Sequence, residues 1–360
     1  MNPAKIAILG SGFSAEVHLE SYHRFIPEAE IIAIYSRSLE RAAQVAEKHK
    51  IPFFSDDMDK VINLHEVEII DVCLPNFLHC GAVEKAAAAK KHIIVEKPLA
   101  MNLEECQTMI RACKNAGVKL MYAEELCFAP KYERVRKLIL SGAVGQIYQL
   151  RQCEKHSGPH SNWFYNPEQS GGGALMDMGC HGIGWLLWII GKETAPISVF
   201  ATMGTYLHKN RTKCEDNSIC VVEFANGTVG IVENSWAKHG GMDDRIEVYG
   251  TGGVVYADLF IGNSALTYSQ SGYDYAMEKA ASTRGWSFTV FEEVFNQGYP
   301  HELQHFIKCV QHNEEPCVSG EFGMMVMEII CAAYYSAKIG SKVKLPFKPS
   351  VKKPIDLWLK

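Results

Sequence analysis

The sequence predicts an α/β protein in two parts: an N-terminal doubly wound parallel sheet, followed by an α+β domain with a large, mainly antiparallel open sheet. Three observations carry this. Fully apolar short runs alternate with helical patterns through the first third, and a glycine-rich turn joins the first run to its helix. After Gly145 the pattern changes to strands separated by turn signals. The 360 residues, 47% apolar with net charge -5, suffice for two cores and carry no low-complexity bias. The expected division is 1–125, 126–345 and a tail over 346–360.

The elements follow in order. Ile6-Ala7-Ile8-Leu9 reads as a buried strand, followed by a helix through Val17, Leu19 and Tyr22. Ile31 to Tyr35 is the second strand and Leu39 to Lys48 its helix. Ile69 to Leu74 leads into an alanine-rich helix ending near Lys90, and Ile93-Ile94-Val95 comes next. The last strand of this sheet is expected at Lys119 to Ala123, with a linking helix over Pro130 to Leu140. Strands buried on both faces with helical crossovers imply a parallel sheet of right-handed units.

Gly10-Ser11-Gly12-Phe13-Ser14-Ala15 fits G-x-G-x-x-A between the first strand and its helix, the context in which that pattern marks a dinucleotide site. Gly10 permits the tight turn, Gly12 admits a pyrophosphate to the backbone, and the helix N-terminus supplies donors and a positive dipole end. The second strand ends Tyr35-Ser36-Arg37-Ser38, without the acid that would hold ribose hydroxyls. A guanidinium and two hydroxyls suit a 2′-phosphate, which tilts the cofactor toward NADP over NAD. Glu96-Lys97-Pro98 closes the run His92 to Val95, placing two charges at the carboxyl end of a strand. By itself that would be a solvated pair.

Beyond the strand Gln146 to Cys153 lies a loop with His156, His160, Asn162, Trp163, Phe164 and Tyr165, then Gly171-Gly172-Gly173 and a helix carrying Asp177, His181, Trp185 and Trp188. The four-residue spacing puts Asp177 and His181 on one helix face, with Gly179 and Gly182 leaving room for a substrate or cofactor ring. A carboxylate-paired histidine at a helix start suits general acid/base work.

The order of these motifs, with Leu74-Pro75-Asn76 and His79 between the fingerprint and Glu96-Lys97-Pro98, resembles the Gfo/Idh/MocA oxidoreductases. The match runs nearly to the end, where Ala332 to Lys338 and Val343 to Pro346 look like that family's last helix and strand. The resemblance implies a Rossmann NAD(P)-binding domain over 1–125 and a substrate-binding, oligomerising domain after it. It implies that Lys97 lies at the nicotinamide and touches the reacting hydroxyl, with Lys97-Pro98 cis. Asp177 would position the substrate, and His181 would take the hydroxyl proton. Gly10, Gly12, Phe13, Ser14, Ser36, Arg37, Leu74, Pro75, Asn76, His79, Glu96, Lys97 and Glu125 would form the cofactor site. His156, His160, Trp163 and Tyr165 would join Asp177 and His181 around the substrate.

The substrate expected is a small carbohydrate or cyclitol, oxidised at a secondary hydroxyl. Inositol dehydrogenases of this family continue His-x-x-Asp where Gly184 stands here, which argues against a free inositol. Two other functions fit the same motifs: redox-neutral sugar modification through a transient keto-sugar with tightly held NAD, and a non-catalytic sugar sensor. His301-Glu302-Leu303-Gln304-His305 matches a zinc-protease pattern but falls in a helix whose Leu303, Phe306, Ile307 and Val310 are core-like, so no metal is expected.

Six further runs read as strands: Ser198 to Tyr206, Ser218 to Phe224, Thr228 to Trp236, Arg245 to Tyr249, Val254 to Asp258 and Ala265 to Tyr268. Ile219 to Phe224 is apolar on both faces, which suggests a homodimer or homotetramer formed through this sheet. No basic surplus speaks for nucleic acid, and no apolar run approaches a membrane span. With twelve scattered cysteines and no Cys-x-x-Cys, a cytoplasmic protein with reduced thiols is expected.

Overall fold

A computed structural model describes residues 2–260, 264–271, 284–290 and 292–360. The chain divides into two compact units. The first combines Met1–Glu125 with Gly298–Met327, and the second combines Leu126–Gln297 with Glu328–Lys360. Residues 298–327 therefore return to the first unit, where the sequence placed them in the second domain.

The first unit holds a six-stranded, wholly parallel sheet in the order β3-β2-β1-β4-β5-β6. Its strands are β1 (Ala4–Leu9), β2 (Ala29–Tyr35), β3 (Phe53–Ser55), β4 (Ile69–Val72), β5 (His92–Val95) and β6 (Leu120–Tyr122). Ile6, Ile8, Ile69, Ile70, Ile93 and Ile94 are fully buried, as strands covered by helices on both faces require. The helices are α1 (Phe13–Phe25), α2 (Leu39–His49), α3 (Met58–Ile62), α4 (His79–Ala88) and α5 (Leu103–Ala116). The short pair β3 and α3, and the amphipathic α5, had no place in the sequence reading. The ends of α5 are well specified: Asn102 Oδ1 accepts from the Glu105 N–H at 2.9 Å, and Gly117 closes it with φ +70. The helix Tyr299–Gln311 packs against α1 through a face that includes buried Leu303, Phe306 and Ile307.

The second unit is built on a seven-stranded sheet of order β12-β11-β7-β10-β9-β8-β15. Its strands are β7 (Ile147–Lys155), β8 (Pro196–Gly204), β9 (Asn217–Phe224), β10 (Val229–Ser235), β11 (Asp243–Gly250), β12 (Gly253–Asp258) and β15 (Val343–Lys344). Only β7 and β10 run parallel, so the sheet is mixed and mainly antiparallel. The run predicted over Ala265 to Tyr268 belongs to β13 (Ser264–Ser269), which pairs with β14 (Gly285–Val290) in a separate two-stranded sheet. The helices that precede and cover the large sheet are α6 (Pro130–Leu140), α7 (Pro167–Ser170), α8 (Ala174–Asp177) and α9 (Gly179–Ile190). Cys220, Val222 and Phe224 point to the covered face, whereas Ile219 on the other is exposed. Within this chain the sheet is thus covered on one face, not two.

Residues 346–360 are part of this unit and not a separate tail: Ile355 is fully buried, and its N–H donates to the Gly171 carbonyl at 3.2 Å. None of the twelve cysteines is in a disulfide, and only Cys80 and Cys317 lie outside the buried class. One helix among the described residues, Gly320–Ile339, is long and apolar enough to cross a membrane, contrary to the sequence expectation. Its most apolar window is 61% buried, as in a helix of a folded core.

Candidate active site

In the first unit every motif residue follows one straight row across the sheet. Ser55, Tyr35, Leu9, Val72, Val95 and Tyr122 are register partners in turn, so Gly10, Ser36, Cys73, Glu96 and Ala123 all leave the same carboxyl edge. The strand order reverses between β1 and β4, the switch point where open α/β sheets bind ligands. Gly10 sits at φ +125, and a Cβ there would come within 2.2 Å of the Cys73 carbonyl oxygen, so no other residue fits. A Cβ on Gly12 would meet nothing within 4 Å, which leaves the backbone open where α1 begins. No side chain caps that helix end, the arrangement a phosphate at a helix N-terminus uses. These features fit a dinucleotide.

Ser36 and Ser11 are buried and joined through their hydroxyls at 2.7 Å. Beside them a pocket of about 490 Å³ is lined by Ser11, Ser38, Arg41, Gln44 and Lys48, among others. Arg37 is exposed and does not line it. Arg41, absent from the sequence reading, does, and its Nε donates to the Ser11 carbonyl at 3.1 Å. Phe13 is exposed and Ser14 half-buried.

At the next loop Leu74 and Pro75 are half-buried, Asn76 and His79 buried, and Lys97-Pro98 is cis. His79 clamps the loop internally: Nε2 faces the Leu74 carbonyl at 2.7 Å and Nδ1 the Pro98 carbonyl at 3.0 Å. Burial lowers its pKa, and the surrounding carbonyls offset that only in part. His79 thus shapes the Lys97-Pro98 turn through the backbone.

Behind that turn lies a buried charged chain. The Lys97 N–H donates to Glu96 Oε2 at 3.0 Å. Glu96 Oε1 lies 3.0 Å from His18 Nε2, an ion-pair approach that falls outside hydrogen-bond alignment. His18 Nδ1 bonds Asp71 Oδ2 at 2.9 Å, and the same oxygen accepts from the Tyr22 hydroxyl at 2.9 Å. Burial opposes a charge on His18, but Asp71 outweighs it and holds the imidazole well above the ordinary histidine range. The ring therefore lies between two acid side chains, with Asp71 favouring its charged form. Tyr299 packs 6.0 Å from it, ring to ring, and its hydroxyl donates to Glu125 Oε1 at 3.1 Å.

In the second unit Asp177 and His181 do not share one continuous helix. Asp177 ends α8 and His181 lies in α9, with a 49° bend between Pro167–Asp177 and Gly179–Ile190. The His181 N–H bonds the Met178 carbonyl, three residues back, at 3.1 Å. The neighbouring glycines leave no room for a ring. A Cβ on Gly182 would meet Gln152 and Val232 at 2.4 Å, and one on Gly179 would meet Leu175 at 2.6 Å. They let α9 lie directly on β7 and β10 instead.

Asp177 is held by a residue that sequence patterning did not single out. Trp236 Nε1 donates to Asp177 Oδ2 at 2.9 Å, and the Trp236 ring is fully buried. Around it stand Tyr165 at 5.9 Å and Phe164 at 6.4 Å, both edge-on, and Trp163 stacks on Phe164 at 3.8 Å. All three loop aromatics are half-buried. His156 is buried and His160 exposed, with ring centres 6.2 Å apart.

The zinc-like pattern resolves differently. His305 Nε2 accepts the Cys317 N–H at 3.1 Å, which occupies the lone pair a metal would need. Glu302 is fully buried with no hydrogen-bond partner among the described residues, and burial, reinforced by Glu125, raises its pKa well above the carboxylate range.

A parallel nucleotide-binding sheet joined to a mixed sheet carrying a polar, aromatic loop defines a dinucleotide-dependent oxidoreductase. The family model described as "Oxidoreductase family, NAD-binding Rossmann fold" matches residues 4–124, and the "GFO/IDH/MocA C-terminal domain" matches 132–256. The chain belongs to the Gfo/Idh/MocA family. It is similar to the myo-inositol 2-dehydrogenase of Thermotoga maritima, 28% identical over 95% of this chain and 98% of the relative. The D-glucoside 3-dehydrogenase of Escherichia coli is 25% identical over 96% and 98%. Among solved structures, GenD2 from gentamicin A biosynthesis in complex with NAD superposes with TM-score 0.90 at 27% identity, over 96% and 97% of the two chains.

Proposed function

We propose that the protein is an NAD(P)-dependent dehydrogenase that oxidises a secondary hydroxyl of a sugar, glycoside or cyclitol. The observation that carries this is an open, uncapped dinucleotide turn in the same chain as the Trp236-held Asp177 and the His181 that follows it. The names of the similar proteins, inositol and glucoside dehydrogenases, support the substrate class. A bound nicotinamide supplies the hydride acceptor. Asp177 orients the substrate, Lys97 polarises the reacting hydroxyl, and His181 takes its proton. Trp236 fixes the Asp177 oxygen that it bonds, and with it the orientation of the carboxylate. His18 does the same for Glu96, and through Glu96 for the Lys97 backbone.

Arg41 beside Ser11 and Ser38 supports a preference for NADP, because a guanidinium and hydroxyls suit a 2′-phosphate; Lys48 is paired with Glu16 at 2.6 Å, and Glu16 and Glu40 line the same pocket. The exposed face of the second sheet supports a homodimer or homotetramer. Ile219 on β9 and Phe200 on β8 are exposed there, beside a set of charges on β7 and β10 in which Glu233 bonds Arg151 and Lys155. A monomeric mass by light scattering at micromolar concentration would dispose of that assembly.

The test is a screen for reduced-nicotinamide absorbance with NAD and NADP against hexoses, glycosides and inositols. Turnover is expected with at least one ring alcohol, and Lys97→Ala and His181→Ala should each lower it by roughly 10³-fold. Undiminished activity in those variants would sink the assignment.

A further inference from the structure

The turn after β8 carries His208-Lys209-Asn210-Arg211-Thr212-Lys213, a run of cations with no acid inside it. Among the described residues no carboxylate lies within ion-pair distance of Lys209, Arg211 or Lys213. The two acids that follow immediately are committed elsewhere. Glu215 is fully buried and accepts from the Gly173 and Leu175 N–H groups and the Tyr334 hydroxyl. Asp216, equally buried, accepts from the N–H groups of Tyr206, Leu207 and His208 at 2.7 to 2.8 Å.

A charge run of this kind is ordinarily a solvated face, but this one is fastened to the aromatic loop. Arg211 Cζ stacks 4.0 Å over the Tyr165 ring. Its two terminal nitrogens donate to the Tyr165 hydroxyl at 3.3 Å and to Asn162 Oδ1 at 3.2 Å. Thr212 Oγ1 donates to the Tyr165 carbonyl at 2.7 Å, and His208 Nε2 faces the Trp236 carbonyl at 3.2 Å. All these partners are neutral. They fix the guanidinium and leave three of its five N–H donors and its whole charge unspent.

Arg211, His208, His160, Asn162 and Tyr165 line a pocket of about 450 Å³ together with serine, glycine and proline, and no acid lines it. The pocket is one ring removed from the substrate-orienting carboxylate, since Tyr165 packs on Trp236 and Trp236 bonds Asp177. We propose that this pocket is a subsite for an oxyanion, a carboxylate or phosphate borne by the sugar or cyclitol, with Arg211 as its principal ligand. A planar guanidinium held by neutral groups suits bidentate recognition of either anion, and an uncompensated cationic turn raises their local concentration. This deepens the dehydrogenase reading and rests on it.

The experiment measures binding separately from turnover, on the full chain. Inorganic phosphate and acetate are titrated against wild type, Arg211→Gln and Arg211→Lys, followed by phosphorus and proton NMR. D-glucose, D-glucuronate and D-glucose 6-phosphate are titrated in parallel by calorimetry. Wild type is expected to bind at least one anion class, and the matching charged sugar roughly tenfold tighter than glucose, with the preference falling as salt rises. Arg211→Gln should erase that preference while changing glucose binding less than twofold, and Arg211→Lys should retain part of it. Which arm responds separates carboxylate from phosphate. Anion binding that persists in Arg211→Gln, or no anion binding in wild type, overturns the subsite. Failure of every sugar to reduce coenzyme, with the anion effect intact, would instead count against the dehydrogenase reading.

Discussion

His18 and Trp236 occupy comparable posts in the two units: each is fully buried and each holds a carboxylate next to a residue assigned to the chemistry. They do it by different means. His18 faces Glu96 at 3.0 Å across an ion-pair approach, its charged form favoured by Asp71 on the other side. Trp236 holds Asp177 with one neutral N–H on a ring wedged among Phe164 and Tyr165. Support by charge is strong and depends on pH, whereas support by an indole is weaker and does not titrate. The first unit presents a cofactor common to many enzymes and can rely on fixed ion pairs. The second holds its carboxylate beside a loop of aromatic rings, whose packing is easier to vary without stranding a buried charge.

The comparison can be broken at several levels. The largest effect belongs to the chemistry itself: His181→Ala should lower kcat by roughly 10³-fold, with KM nearly unchanged, in steady-state assays. Next, His18→Gln breaks a buried pair and should cost about 3–5 kcal/mol in denaturant unfolding near neutral pH. Its sign with pH follows from the raised folded-state value. The stabilisation from the imidazolium is fully present below the ordinary histidine pKa and is lost as pH rises through the elevated folded one. The gap between wild type and His18→Gln should therefore narrow in alkaline buffer, and a gap independent of pH would refute the ion-pair account.

Trp236→Phe keeps the ring but removes the donor to Asp177, leaving a buried acceptor short by one bond. A loss of about 1–3 kcal/mol is expected, read as a fall in kcat/KM with the same pH profile as wild type. A changed profile would mean that the indole acts through charge after all. The smallest expected effect has the opposite sign. Glu302 has its folded pKa raised, so its cost to stability appears as pH climbs through that value. Glu302→Gln should stabilise by about 1 kcal/mol in mildly alkaline buffer and by little at pH 5, measured as Tm.

The two supports also differ in how far the sequence discloses them. Gly10, Gly12 and Glu96-Lys97-Pro98 are local: strand, turn and ligand edge lie within a few residues, so their placement on one sheet edge follows from periodicity alone. His18 lies on the fingerprint helix, but its partner Asp71 is 53 residues away, and nothing in the spacing links them. The Trp236 to Asp177 bond spans 59 residues, and the Arg211 to Tyr165 contact 46. Both depend on how β10 and the turn after β8 lie beside α8. The expected role of Gly182 fails for the same reason, because the space beside it is filled by Val232 from a strand far along the chain.

The return of residues 298–327 to the first unit bears on how the protein is made. Tyr299 and Glu302 belong to the helix that closes over the His18 face of α1, yet they leave the ribosome only after most of the second unit has been synthesised. Until then the buried imidazole and its two acids face water. Synthesis of residues 1–125 alone supplies every strand of the parallel sheet but not its last cover, so the nucleotide-binding half should reach its full stability only after residues 298–327 have emerged.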